Sequence, residues 1–496
     1  MTRAERFAAC VLLAGCAAPS APPSPTQPPS PSACADDGVT VQAVQSTPGP
    51  APGQLNIVAE LSAAAPLTVR CTDAAGTEEH VITSPAAPTH EVRLSGLVAP
   101  DTTCAVSPSC SESSAWPIDL PPVTSPLPQL EVVVDATLGM TGHYTLAAFV
   151  DGPCDDTATK WLGIWGADGT PRWWQPLPDD LDWIDVEALW HDDIQALVWG
   201  GGESPAGRVR AVDVWEGPQV VASPEGWEGI EFHHDGKRLP DGRLLTLEER
   251  WNTDADATTR WKGFGARLLA ADGSTPRLDI DSQRYVDEGL LPAGDFDLDR
   301  DPYHANWVEW VEEADGGTLF VSACQRQELL AIDGTTGALR WVWGAGLGWA
   351  VQEADGTPMG DEALPQCLHG AETDGTRFVV YDNGRQRGAS SVAVWEVDPT
   401  ERVATRVWSW SEPGWFEETL GDVDELANGR VLVTQAHPEC WSSNPGARSQ
   451  IVEVDPTSGH VASRLIFPSV DHAIYRSQRY DGCELFPSLV QYCSQP

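Results

Sequence analysis

From about residue 129 onward, apolar and polar residues alternate in short runs, and Gly, Asp, Asn and Pro cut the runs at close intervals. Alternation with a period of two, bounded by turn residues, predicts strands joined by tight turns, and helix-period stretches are almost absent. The runs also repeat. Leu239-Pro240-Asp241-Gly242-Arg243-Leu244-Leu245-Thr246-Leu247 matches Leu426-Ala427-Asn428-Gly429-Arg430-Val431-Leu432-Val433-Thr434. Ala331-Ile332-Asp333-Gly334-Thr335-Thr336-Gly337 matches the runs that begin at Glu396-Val397-Asp398 and Glu453-Val454-Asp455. The recurrence, roughly every 45 to 65 residues, suits four-stranded units with loops of variable length. It predicts a β-propeller over residues 128–496, with roughly six blades at such a period.

Residues 34–127 alternate in shorter runs, such as Leu67-Thr68-Val69-Arg70-Cys71 and His90-Glu91-Val92-Arg93-Leu94. Their length and turn spacing predict an N-terminal β-sandwich of fibronectin III or Ig-like type. The stretch Leu94 to Cys104 looks like the loop before a late strand of fibronectin type III modules. The fold class expected for the whole chain is therefore all-β.

The first 33 residues follow neither pattern. Arg3 and Arg6 precede a short apolar run, Phe7 to Leu13, and Leu13-Ala14-Gly15-Cys16 reads as a lipobox. Residues 1–16 are expected to be a lipoprotein signal, cut before an acylated Cys16, because the apolar run is too short to span a bilayer. Residues 17–33 are rich in proline and make an extended linker. The expected location is exported and lipid-anchored, most naturally at the outer membrane, facing the periplasm or the surface. The membrane is then a partner through the anchor only.

Cys10 leaves with the signal and Cys16 is acylated, so ten of the twelve cysteines remain. An even number in an exported chain favours disulfides, and no Cys-x-x-Cys pair points to zinc or thioredoxin chemistry. The net charge of −43 excludes nucleic acid as a natural partner. Lys160, Lys237 and Lys262 are the only lysines, so an anion site must draw mainly on Arg, His, backbone N–H groups or a metal. The twenty-two tryptophans are expected to fill the wedges between twisted sheets.

Three histidines stand at corresponding points of successive repeats. Phe232-His233-His234-Asp235 precedes Leu239-Pro240-Asp241-Gly242; Asp301-Pro302-Tyr303-His304-Ala305-Asn306 precedes Asp315-Gly316-Gly317; Gln366-Cys367-Leu368-His369-Gly370 precedes Asp374-Gly375. Equivalent strand starts converge on one axis in a propeller, so the imidazoles are expected to share a channel mouth, and clustered titratable groups mark sites.

With these motifs in this order, residues 161–486 resemble the arylsulfate sulfotransferase family: exported, six-bladed propellers that move a sulfuryl group between phenols through a sulfated histidine. The resemblance implies that His369 is the nucleophile and that His234 and His304 are its catalytic partners. It implies substrate-binding roles for His233, Asn306 and Thr434. The partners it implies are a small aryl sulfate and a phenol, with no nucleotide donor and no cofactor.

The chain departs from the family pattern where an arginine follows the Val-Ser strand, because Cys324 stands there. Arg326 is expected to compensate, since on a strand it would share a face with Cys324, about 6.6 Å away. A second departure is Gln366-Cys367-Leu368-His369, where the family tends to have Gln directly before His; Cys367 lies in it, one repeat on, and a Cys324–Cys367 disulfide is expected to brace or block the site. Asp295, Asp297 and Asp299 are spaced like a calcium loop but lack its turn glycine, so they are a possible structural calcium site and otherwise a solvated acidic loop. The rival to an enzyme is a surface lipoprotein that binds a protein or glycan and keeps its histidines as remnants.

Overall fold

The computed structural model describes residues 38–49, 54–72, 78–94, 102–108, 115–118, 120, 124–152, 158–177, 186–188, 195–199, 209–213, 217–222, 231–253, 260–270, 276–292, 301–314, 316–436 and 446–480. The chain is all-β, and its one described α-helix is the short Ser282–Asp287. Strands Val41–Pro48, Leu55–Thr72, Glu78–Leu94, Thr103–Pro108 and Trp116–Ile118 form one five-stranded antiparallel sheet where a sandwich was expected. Leu55, Ile57, Leu67, Val69 and Val106 make its core, and Cys71 is bonded to Cys104 across the paired strands.

Six further sheets follow. Sheet 1 is His472–Tyr480, Tyr144–Asp151, Thr159–Gly166 and Pro171–Pro176; sheet 2 is Val186–Ala188, Gln195–Trp199, Val209–Asp213 and Gly217–Ala222. Sheet 3 is Glu231–Arg238, Leu244–Thr253, Arg260–Leu269 and Pro276–Asp281; sheet 4 is Val308–Val311, Thr318–Ala323, Glu328–Asp333 and Leu339–Gly344. Sheet 5 runs from Leu368–Thr373 through Arg377–Asp382 and Ser391–Asp398 to Val403–Trp410, and two short strands from 350–359 extend it. Sheet 6 is Asp422–Glu425, Val431–Gln435, Gln450–Asp455 and His460–Ile466, closed by Glu131–Val134 from far earlier in the chain. Sheet 1 is closed the opposite way, by the late strand His472–Tyr480 on early strands.

Apolar side chains are buried between neighbouring sheets, so the described cores are shared. Leu245, Leu247 and Phe264 of sheet 3 pack with Leu319, Val321 and Leu330 of sheet 4. Phe320, Leu329 and Trp343 of sheet 4 pack with Phe378, Val380 and Trp395 of sheet 5. Val379, Tyr381 and Val394 of sheet 5 meet Val431, Val433 and Val452 of sheet 6, whose Leu432, Ile451 and Leu465 meet Phe149 and Trp165 of sheet 1. Trp165, Trp173, Trp174, Trp261, Trp307, Trp343 and Trp395 are fully buried, which is the packing role expected of them. The first strands of neighbouring sheets lie against one another: 231–238 with 308–311, then 368–373, 422–425, 472–480 and 186–188 in turn. Whatever stands at the start of these strands is therefore gathered into one region.

Candidate active site

The gathering works through bulges. The register of sheet 3 slips between Phe232 and Gly236, that of sheet 5 between Leu368 and Gly370, and that of sheet 1 between Ile474 and Ser477. His234, His369 and the pair Tyr475-Arg476 occupy these irregularities. His304 sits just before the first strand of sheet 4, its carbonyl accepting from Cys324 N at 3.2 Å. A bulge frees a side chain from the pleat and re-aims it. His234 (φ 54°), His304 (φ 44°), Cys367 (φ 74°) and Leu420 (φ 67°) adopt left-handed backbone conformations that non-glycine residues seldom take. Such strain costs on the order of 1–3 kcal/mol per residue and gathers at functional sites.

His234 Nε2 lies 3.2 Å from His304 Nε2. The ring of His369 stands 6.0 Å, centre to centre, from that of His234, and Tyr475 lies 5.4 Å from His369. His304 Nδ1 donates to Asp301 Oδ2 at 2.6 Å, and Asp301 Oδ1 accepts from the His304 backbone N–H at 3.0 Å. With Nδ1–H committed to that carboxylate, the contact between the two Nε2 atoms holds one proton when both rings are neutral.

His369 is 3% exposed, and its Nδ1 donates to the carbonyl of Gly421 at 3.0 Å. Burial pushes its imidazole well below the ordinary histidine range; Arg476, His304 and Arg385 add to this, while the Gly421 carbonyl opposes it. A neutral ring with a proton on Nδ1 carries its lone pair on Nε2. Gly421 (φ +93°) permits the arrangement, since a Cβ there would stand 2.2 Å from Tyr381 Cζ. Gly370 also needs to be bare, because a Cβ would fall 2.1 Å from Asp422 Oδ1.

Beneath the histidines lies a buried ionic hub. Arg476 Nη1 donates to Asp235 Oδ1 at 2.9 Å and Nη2 to the Asn306 carbonyl at 2.9 Å, with Asp422 Oδ1 3.9 Å from Nε. Asp235 Oδ2 accepts from Val308 N at 2.8 Å. The hub ties first strands of sheets 1, 3, 4 and 6 into one frame. Burial raises the Asp422 carboxyl to about 6 against the opposing pull of Arg476.

The other expected site residues fall differently. Asn306 is buried, takes Ser322 Oγ on its backbone N–H and turns its amide to Cys367 Sγ at 3.9 Å. Cys324 is bonded to Cys367, the pairing expected from their places beside the altered motifs. Arg326 requires a correction: it lies in the single 3-10 turn Cys324–Arg326 and shares no strand face with Cys324. Its Nε and Nη2 each donate to Glu328 at 3.1 Å, so its fork is occupied. Thr434 pairs its hydroxyl with Ser477 Oγ at 2.6 Å, between sheets 6 and 1. His233 lies on the strand Glu231–Arg238, and its side chain is outside the described residues, as are Cys16, Asp295, Asp297 and Asp299. Among the described residues, no group of three or more His, Cys, Asp or Glu is placed to hold a metal ion.

Sequence reasoning passed over Asp301, Asp235, Tyr475 and Arg476. The first two had a signal, since each stands within three residues of a singled-out histidine. Tyr475 and Arg476 had a weaker one, since their strand runs into Asp481-Gly482 but carries no histidine at its bulge, and it joins sheet 1 only by pairing with residues 144–151.

A family model described as arylsulfotransferase (ASST) matches residues 167–476. No curated protein matches the sequence. Among solved structures, the chain is similar to a luciferin-regenerating enzyme at 11% identity and TM-score 0.35, over 72% of this chain and 99% of that one. It is also similar to a periplasmic gluconolactonase of Pseudomonas aeruginosa at 12% identity and TM-score 0.33, over 68% and 97%. A calcium-binding regucalcin of Agrobacterium tumefaciens follows at 13% identity and TM-score 0.32, over 67% and 96%.

Proposed function

The chain belongs to the arylsulfotransferase family, and from that premise we propose that it moves a sulfuryl group from an aryl sulfate to a phenol through a sulfohistidine at His369. The observation that carries this reading is the convergence of His234, His304 and a buried, neutral His369 whose Nδ1–H is held by Gly421. His369 Nε2 attacks sulfur as the S–O bond to the aryl group breaks. The departing phenolate takes a proton from the His234–His304 pair in its protonated form, an imidazolium whose charge Asp301 balances. An acceptor phenol then attacks the N-sulfo group, returns its proton to the same pair and releases His369. Atoms and charge balance over the cycle, and no nucleotide donor takes part. A nucleophile kept unprotonated and an adjacent acid–base pair held by a carboxylate are what such a double displacement needs.

Six sheets whose neighbours touch in turn, with cores shared from sheet 3 through sheets 4, 5 and 6 to sheet 1 and two sheets closed by strands distant in sequence, support a six-bladed propeller. The five-stranded N-terminal sheet is taken as part of a fibronectin-like module, and the leader as a lipid anchor at Cys16 that places the enzyme at the outer membrane.

The test is p-nitrophenyl sulfate turnover by the purified protein, with and without phenol, beside His369→Ala. Phenol-stimulated nitrophenol release that is lost in the variant supports the reading, as does radiosulfur retained on wild-type protein without acceptor. A folded wild type that is inert across a panel of phenols refutes it and favours a binding lipoprotein.

A further inference from the structure

An aryl sulfate brings a negative charge to His369, and the cations around the cluster are mostly committed elsewhere. Cys324 stands where the family pattern has arginine and is tied to Cys367. Arg326 is engaged by Glu328, and Arg476 by Asp235 and the Asn306 carbonyl. Arg385 remains. It lies in the loop after the strand Arg377–Asp382, and that loop is stitched to both segments that position His369. On one side, the backbone N–H groups of Asn383, Gly384 and Arg385 donate to the carbonyls of Cys367, Gln366 and Gln366 at 3.1, 3.1 and 3.4 Å. On the other, Asn383 Nδ2 donates to the carbonyls of Glu417 and Leu420 at 3.0 and 2.9 Å, next to the Gly421 carbonyl that holds His369 Nδ1.

Arg385 Nε donates to the Glu418 carbonyl at 2.8 Å, which fixes the plane of the guanidinium. Its Nη atoms make no hydrogen bond or ion pair among the described residues, although the Glu418 carboxylate attracts the group. Arg385 is half-buried, while the loop residues Gln386 to Ala389 that follow it are exposed, so it stands between the buried segments around His369 and solvent. Its charge is felt at the His369 imidazole, which it helps keep neutral. A planar fork with one edge anchored and the other open is suited to binding two oxygens of an anion at once.

We propose that Arg385 binds the sulfuryl oxygens of the donor at His369, in place of the arginine whose position Cys324 occupies. This rests on the function proposed above and adds the residue that would select an anionic donor. The arginine is a substrate-binding group; it takes no proton and forms no bond in the reaction.

The experiment separates binding from turnover. Calorimetry with p-nitrophenyl sulfate compares His369→Ala, which holds the donor without transfer, with H369A/R385Q and H369A/R385K. Loss of a charge-assisted bidentate contact is expected to weaken donor binding by about 10- to 100-fold in R385Q, and lysine to restore part of it. Binding of uncharged phenol should not change. R387Q, in the same loop but paired with Asp382, controls for loop disruption and should bind the donor like its parent. In the otherwise wild-type protein, R385Q should raise KM for the aryl sulfate and leave KM for phenol in place. Equal donor affinity in H369A and H369A/R385Q, or equal loss in R387Q, overturns the proposal. A wild type that binds the aryl sulfate through Arg385 yet transfers nothing refutes the transferase reading and leaves the anion site standing.

Discussion

The Cys324–Cys367 disulfide is the feature whose removal is easiest to predict in size. It closes a loop over a sequence separation of 43. Constraining the unfolded chain over such a loop removes about 13 cal/mol/K of entropy, or about 4 kcal/mol at 25 °C. The bridge also acts locally. Cys367 sits in a left-handed conformation two residues before His369, and Asn306 leans on its sulfur. Replacing both cysteines with serine should therefore lower the unfolding free energy by about 4 kcal/mol in urea titrations followed by tryptophan fluorescence. The single variant C324S should lose as much, since the bridge needs both sulfurs. Reductant should destabilise the wild type more than C324S/C367S, which retains only the Cys71–Cys104 bridge among those described. Turnover in the double variant should fall, because the turn that presents His369 loses its covalent tie to sheet 4. A destabilisation below about 1 kcal/mol with turnover unchanged would refute the brace, as would free alkylation of both cysteines in the native protein.

Arg476→Met leaves Asp235 and Asp422 buried without their cation and should cost about 3–5 kcal/mol in denaturant titrations at pH 8. The loss should shrink at pH 5, where Asp422 can take up a proton; an equal loss at both pH values would count against the hub. Burial raises Asp422 to about 6 and Glu372 to about 7, both above their ordinary unfolded values near 4. Groups raised in this way contribute stability that is fully present below about pH 4 and lost as pH rises through 6 to 7. The thermal midpoint should therefore fall between pH 5 and pH 8, and less steeply in Glu372→Gln; a midpoint that climbs over that window would refute the assignment. The net charge of −43 repels anionic donors at long range, so added salt should lower the apparent KM for p-nitrophenyl sulfate, and a steep rise with salt would show that long-range attraction had been missed.

Much of this protein was legible because its physics is local. Period-two alternation and Asp-Gly turns mark strands wherever they occur, and Leu239–Leu247 and Leu426–Thr434 indeed become matching turn-and-strand units at residues 244–253 and 431–435. The three histidines stood out through their register with those turns. Arg326 was misjudged because strand alternation was carried past Ala323, where the chain turns into a 3-10 helix and Gln327 takes φ 57°. The N-terminal sheet was harder, since alternation reports a half-buried face but not how many layers cover it.

The all-β class, the repeat, the family motifs and the histidines in register with the turns are all properties of neighbouring residues, and so they are written in the chain. Only the assembled sheets bring Arg476, from the last described strand, to Asp235 and the Asn306 carbonyl. They also set Gly421 to fix the tautomer of a histidine 52 residues away. The Arg476 contact depends on a sheet whose strands come from early and late parts of the chain, and no local pattern of side chains encodes which distant strand will supply the missing edge.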